Sequence, residues 1–170
     1  MKYVFVDGYN VIGSWSILKS LKKHSFDAAR DKLIEILQNY SVYCGCSVVI
    51  VFDAHMVKGS IEKKEKMSSN ISIVFTKEGE TADNYIERTV DAIGRKFDVV
   101  VVTSDSLEQQ VTFQRGATRM SSSEFYYEVQ SAEKIIHEKI YKEYSEKKNA
   151  LEDSIDKEIL EKLEKMRRSH

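Results

Sequence analysis

The 170-residue chain has no proline. Helix ends must therefore be set by polar caps and glycines rather than by a ring that blocks the next turn. Cysteine is nearly absent. Cys44 and Cys46 flank one glycine just before a strand-like run, and the four histidines are scattered, so a zinc site is excluded. The pair reads as small residues filling a helix-to-strand turn, with a redox couple as the alternative. No apolar run approaches the roughly 18 residues of a membrane span, which excludes a helical membrane protein. The chain passes from Met1-Lys2 straight into a strand, leaving no room for a cleavable signal, so a cytoplasmic location is expected. Charge of either sign is not in excess: 26 basic and 27 acidic residues give a net charge of −1. A protein that grips long nucleic acid unaided is usually basic, so any such role here needs a local patch or a partner.

What is present is alternation. Strand-like runs of Val, Ile, Phe and Tyr lie at 3–7, 48–53, 71–76 and 98–103, with a weaker one at 117–120. Between them are helical patterns. Leu33, Ile34, Leu37 and Tyr40 share one face over 26–43, and Ile86, Val90, Ile93 and Phe97 do so after Thr81. Such a β/α alternation, with strands apolar enough to be covered on both sides, predicts a three-layer α/β/α sandwich around a mostly parallel sheet. One domain is expected over 1–144, followed by a charged amphipathic helix over 145–170. Ser121 and Glu124 stand in capping-box spacing at the start of the C-terminal helical region. Leu151, Ile155, Ile159, Leu163 and Met166 form an apolar stripe there, suited to self-packing, a dimer seam or a partner. The segment from His55 to Met67 has four lysines against two glutamates and weak periodicity, and reads as a basic surface loop.

Four acids occupy strand ends or a helix start: Asp7, Asp53, Asp83 and Asp105. Right-handed crossovers bring such positions to the carboxyl edge of a parallel sheet, where ligands bind. A hard cation such as Mg²⁺ or Mn²⁺ takes oxygen ligands and keeps several waters, so a few carboxylates suffice to hold it. Two carboxylates about 5 Å apart repel by roughly 3 kcal/mol at an effective dielectric near 20, a penalty that a bound cation converts into affinity. Each acid also has a structural alternative: Asp7-Gly8 as a strand-ending turn, Asp105 as the cap of a helix starting at Ser106. Asp83 is the most telling, because it continues the apolar face of its own helix toward the sheet edge. Asn10 is a polar neighbour able to orient water, phosphate or Asp7. Glu80, Glu87, Asp53 and Ser104 are accessory candidates.

Several motifs in order, Val-Asp-Gly-Tyr-Asn-Val-Ile at 6–12, Val-Phe-Asp-Ala at 51–54, Glu-Thr-Ala-Asp-Asn-Tyr-Ile-Glu at 80–87 and Val-Thr-Ser-Asp at 102–105, resemble the NYN branch of the PIN-like nucleases. Within it the chain is similar to the YacP group, ribosome-associated messenger-RNA endoribonucleases of Gram-positive bacteria. The resemblance runs from residue 3 to about residue 130. It implies a PIN-like fold and a metal-dependent phosphodiesterase, with Asp7, Asp83 and Asp105 as metal-binding acids and Asn10 as the polar catalytic position. The implied substrate is mRNA and the implied partner the ribosome.

On that footing, metal-activated water attacks the phosphodiester and histidine is not required. RNA-contact candidates are Lys58, Lys63, Lys64 and Arg115, with Lys22, Lys23, Lys66 and Arg119 behind them. Tyr9 and Trp15 are suited either to stacking bases or to packing. Two rivals remain: a noncatalytic RNA- or ribosome-binding module, and a phosphatase using Asp7 as nucleophile. The second commonly needs another Asp two residues on, where this chain has Tyr9.

Overall fold

The strand that carries Asp7 is a central one. In the computed structural model, which describes residues 1–53, 62–93, 96–104 and 117–154 together with 165, 166 and 168, and side chains of the last helix through residue 147, β1 (Lys2–Asp7) lies between β2 (Ser47–Phe52) and β5 (Asp98–Val102). Among the described residues the sheet has six strands, in the order β3-β4-β2-β1-β5-β6, with β4 at Ile71–Phe75 and β6 at Thr118–Met120. All pairings are parallel except that of β3 (Lys63–Lys66) with β4. The expected mostly parallel α/β architecture is present.

Alternation along the strands makes two cores. Val4 and Val6 of β1 face one side, together with Val48, Ile50 and Phe52 of β2; Phe5 faces the other with Val51, Val74, Val99 and Val101. Helices α1 (Gly8–Ser14), α2 (Ser16–Lys22) and α3 (Phe26–Cys44) and the start of α5 (Ser122–Ser154) cover the first face through Val11, Leu18, Leu33, Leu37 and Phe125. Helix α4 (Ala82–Ile93) covers the second through Tyr85, Ile86 and Val90. These are the three layers.

Polar caps do the work that proline would otherwise do. Ser25 Oγ accepts from Ala28 N–H to start α3, and Gly45, at φ 63°, ends it in the left-handed conformation. Cys44 and Cys46 are disulfide-bonded across that glycine. Ser121 and Glu124 form the expected reciprocal box: Ser121 N–H donates to Glu124 Oε2 at 2.8 Å, and Glu124 N–H to Ser121 Oγ at 3.2 Å.

Three sequence expectations change. Part of the supposed basic loop is strand β3, whose Lys-Lys-Glu-Lys sequence has no apolar residue to betray it; it is an edge strand, where lysines discourage pairing with another chain. The stripe of α4 stops at Ile93, and Phe97 lies outside the helix, 41% exposed, with its ring 5.3 Å from Tyr3. Asp7-Gly8 is not a strand-ending turn. Asp7 caps α1, accepting from Asn10 N–H at 3.0 Å, and Gly8 is its first helical residue. Glycine is needed there for space: a Cβ on Gly8 would stand 2.3 Å from Phe52 Cε1.

The chain divides into two units, Met1–Ala132 and Glu133–His170. In the second, Ile140, Tyr141 and Tyr144 are exposed along the helix. Of the predicted stripe, Met166 is exposed, and the side chains of Leu151, Ile155, Ile159 and Leu163 lie outside the described residues. No described helix is long and apolar enough to cross a membrane.

Candidate active site

Sheet register and the start of α4 bring the described acids to one edge. Asp7 is the last residue of β1 and pairs with Val51, so Asp53 stands two residues further on, just past the end of the neighbouring β2. On the other side Val6 pairs with Val102, which sets Thr103 and Ser104 beyond the end of β5. Asp83 arrives from α4, whose start is fixed by Thr81: its Oγ1 accepts from Asn84 N–H at 3.2 Å and its carbonyl from Tyr85 N–H at 3.1 Å.

A cavity of about 510 Å³ opens at this edge, lined by Asp7, Asn10, Asp53 and Asp83 with Tyr9, Lys22, Phe26, Thr81 and Ala82. Three of the four predicted acids and Asn10 therefore share one wall system. Asp105 lies outside the described residues, as do Lys58 and Arg115. Among the described residues no group of three His, Cys, Asp or Glu converges tightly enough to hold a metal by itself. The carboxylate oxygens of Asp7, Asp53 and Asp83 in the cavity lining suit a hard cation that completes its shell with water and phosphate.

The accessory glutamates go elsewhere. Glu80, 9% exposed, faces Arg88: its Oε1 accepts from Arg88 Nε at 3.2 Å and Nη2 at 3.0 Å. The Thr76 hydroxyl donates to the Glu80 carbonyl at 2.6 Å. Glu80 thus braces the entry to α4, and is not among the cavity-lining residues. Glu87 lines a separate shallow depression with Asn84, Arg88 and Asp91. Ser104 donates its hydroxyl proton to Ser122 Oγ at 3.0 Å.

The basic candidates on β3 are largely neutralised. Lys63 pairs with Glu65 at 2.5 Å and Lys64 with Glu62 at 3.5 Å. A hydrogen bond with Tyr85, with Glu62 adding attraction, holds the Lys64 ammonium above its ordinary value. Among the described residues lining the cavity, Lys22 is the one cation, with its Nζ 4.9 Å from the centre of the Phe26 ring. Tyr9 packs edge-on to Phe26 and Phe52 at 6.1 and 5.2 Å, forming an aromatic wall. Trp15 is 2% exposed and belongs to the core, which removes it as a base-stacking surface.

Sequence reasoning missed Ser122, whose hydroxyl donates to Asn10 Oδ1 at 2.5 Å across 112 residues. Its position beside the Ser121 box gave it a sufficient structural explanation, and no local signal pointed to Asn10.

The fold and the acid-lined edge define a PIN-like nuclease domain, and the chain belongs to the YacP-like NYN domain family, whose sequence model matches residues 4–168. It is 43% identical over 169 residues to the uncharacterized protein YacP of Bacillus subtilis (strain 168), covering 99% of this chain and 98% of that one. The crystal structure of Rae1 (YacP) from Bacillus subtilis superposes with a TM-score of 0.75 at 42% identity, over 99% of this chain and 95% of the other. A single-substitution mutant of the same protein gives 0.74 at 40% identity, over 86% of each chain.

Proposed function

We propose that the protein is a metal-dependent endoribonuclease that cleaves mRNA, with the translating ribosome presenting the strand. The observation that carries this reading is the convergence of Asp7, Asn10 and Asp83 on one cavity in a chain of the NYN family. Asp7 and Asp83, with Asp105, are the residues that would hold Mg²⁺ or Mn²⁺. A bound divalent ion supplies an acidified water as nucleophile and neutralises charge on the scissile phosphate.

The chain's own groups do the rest. Asp7 is held rigidly because its carboxylate also caps α1. Lys22, which lines the same cavity, offers the phosphate a cation, and Tyr9 and Phe26 add an aromatic surface to that lining. With net charge −1 and Lys63 and Lys64 of β3 paired to glutamates, free RNA is held weakly and its binding falls with salt. That weakness supports a partner that delivers the strand, the role the family resemblance gives to the ribosome. The phosphatase alternative loses ground because the residue two after Asp7 is Tyr9, whose ring is packed against Phe26 and Phe52.

The test is cleavage of end-labelled mRNA with Mn²⁺ or Mg²⁺, with and without translating ribosomes, by wild type and Asp7→Asn. Asparagine is as good an N-cap as aspartate, so the variant keeps its helix while losing ligand charge. Metal-dependent cutting that leaves 5′-phosphate and 3′-hydroxyl ends, requires the ribosome and vanishes in the folded variant is expected. Cutting of free RNA alone removes the partner; RNA or ribosome binding with no cutting under any condition removes the nuclease.

A further inference from the structure

Asn10 lines the cavity, and its carboxamide has two chemically opposite ends, an acceptor oxygen and a donor nitrogen. Which end meets the cavity decides what the residue can hold. Ser122 Oγ lies 2.5 Å from Asn10 Oδ1. That separation suits an O–H···O bond, about 2.5–3.0 Å, and is too short for N–H···O, about 2.7–3.2 Å. The oxygen end is therefore the one committed to Ser122, which is not a cavity-lining residue.

The direction is fixed further back. Ser122 Oγ carries one proton, given to Asn10, and it accepts from Ser104 Oγ at 3.0 Å. Ser122 is fully buried and tied by its backbone: its carbonyl accepts from Trp15 Nε1 at 2.8 Å. Trp15 is wedged against Phe125 and Tyr126 at 5.9 and 5.2 Å. From the other side, Asn10 N–H is bonded to Asp7. With Oδ1 engaged, no described protein group accepts from Asn10 Nδ2, and the amino end is the one left for the cavity.

We infer that Ser122 is a positioning residue: relayed from Ser104, its hydroxyl turns Asn10 so that two N–H donors face the cavity and bind a phosphate oxygen of the substrate, not the cation. An N–H repels a metal ion and matches an oxyanion. A donor held in advance where charge develops stabilises the transition state without reorganising. The identity of the phosphate rests on the RNA-cleaving reading above; the orientation of the amide does not.

The test compares wild type with Ser122→Ala, Ser122→Thr and Asn10→Ser. Three readouts are taken: the side-chain amide resonances of Asn10 in the metal-free protein, the affinity for Mn²⁺ alone by calorimetry, and kcat and KM for RNA cleavage. In Ser122→Ala the Asn10 amide should lose its fixed environment, with its resonances moving toward those of a freely rotating carboxamide. Mn²⁺ affinity should stay within about twofold of wild type in Ser122→Ala and Asn10→Ser, while kcat falls roughly 10- to 100-fold with KM little changed, since removing a preorganised donor costs about that much or more. Threonine, which retains the hydroxyl, should restore most of the rate. Unchanged Asn10 resonances in Ser122→Ala overturn the relay, and a large loss of Mn²⁺ affinity in Asn10→Ser overturns the assignment to phosphate. If wild type cuts no RNA, the nuclease reading fails separately, and the resonances still decide the relay.

Discussion

Gly8→Ala and Gly13→Ala put the same methyl group on the same seven-residue helix, and they should move stability in opposite directions. At Gly13 a Cβ meets nothing within 4 Å, and the residue has no positive φ. Alanine there gains helix propensity and restricts the unfolded chain, for up to about 1 kcal/mol of stabilisation. At Gly8 the new carbon would sit 2.3, 2.7 and 2.8 Å from three atoms of the Phe52 ring. Carbon atoms are comfortable at about 3.5–4.0 Å, so the ring must retreat by more than an ångström. It has nowhere to go: Phe52 is fully buried, stacked on Phe75 at 5.6 Å and met edge-on by Tyr9 at 5.2 Å. Overpacking of this kind costs about 1–3 kcal/mol, and the upper half of that range outweighs the propensity gain. A net loss of about 2 kcal/mol is expected, a fall in Tm of roughly 6–10 °C for a unit of this size. Thermal unfolding and urea titration of both variants, with Gly8→Ala/Phe52→Leu as a third, provide the assay. The smaller side chain should recover part of the loss, a non-additive result in the double-mutant cycle. A Gly8→Ala protein as stable as wild type, or equal shifts at Gly8 and Gly13, would refute the close-approach argument.

Two titrations give further checks. Hydrogen bonds from the Ser121 hydroxyl and backbone N–H hold Glu124 below its ordinary value of 4.5, so the capping box contributes fully above that pH and is lost as pH falls through the folded-state value. In Glu124→Gln the acid limb of a Tm-against-pH curve should therefore be flatter than in wild type, and identical limbs would contradict the assignment. Burial, reinforced by the Glu128 carboxylate that accepts its hydroxyl proton, pushes Tyr40 above its ordinary 10.0; its contribution is intact below pH 10 and declines as pH rises toward the folded-state value. Tyr40→Phe should lose about 1 kcal/mol at neutral pH, one hydrogen bond, and show a weaker alkaline decline; a decline equal to wild type would place its cause elsewhere.

How much of this was legible beforehand follows the physics of each element. Runs such as Ser47–Phe52 and Asp98–Val102 announce themselves because strands covered on both faces must be apolar throughout. Lys63–Lys66 does not, since an edge strand of alternating contacts with water needs no apolar side chain and is defined by pairing with β4 alone. Helices α1 and α2 are seven residues each, too short for periodicity to declare them. At the candidate site, the shared placement of Asp7, Asp53 and Asp83 on one cavity was foreseeable because strand ends and helix starts are sequence-local features that topology then gathers. Glu80, an accessory candidate by sequence, shows the opposite case: its carboxylate accepts from Arg88, eight residues on, a pairing that spacing within one helix turn does not reveal. Ser122 acts on a residue 112 positions away, where only the completed fold supplies the contact.

The central place of β1 bears on how the protein is born. The strand that carries Asp7 leaves the synthesis machinery before both of its neighbours, which begin at Ser47 and Asp98, and the cavity also needs Asp83. Long-range parallel pairing of this kind forms only after the intervening chain exists. A translation product interrupted before β5 holds every acid up to Asp83 but lacks one flank of the strand that presents Asp7. Such a copy has only one of the two strands that flank Asp7, a consequence of strand order alone.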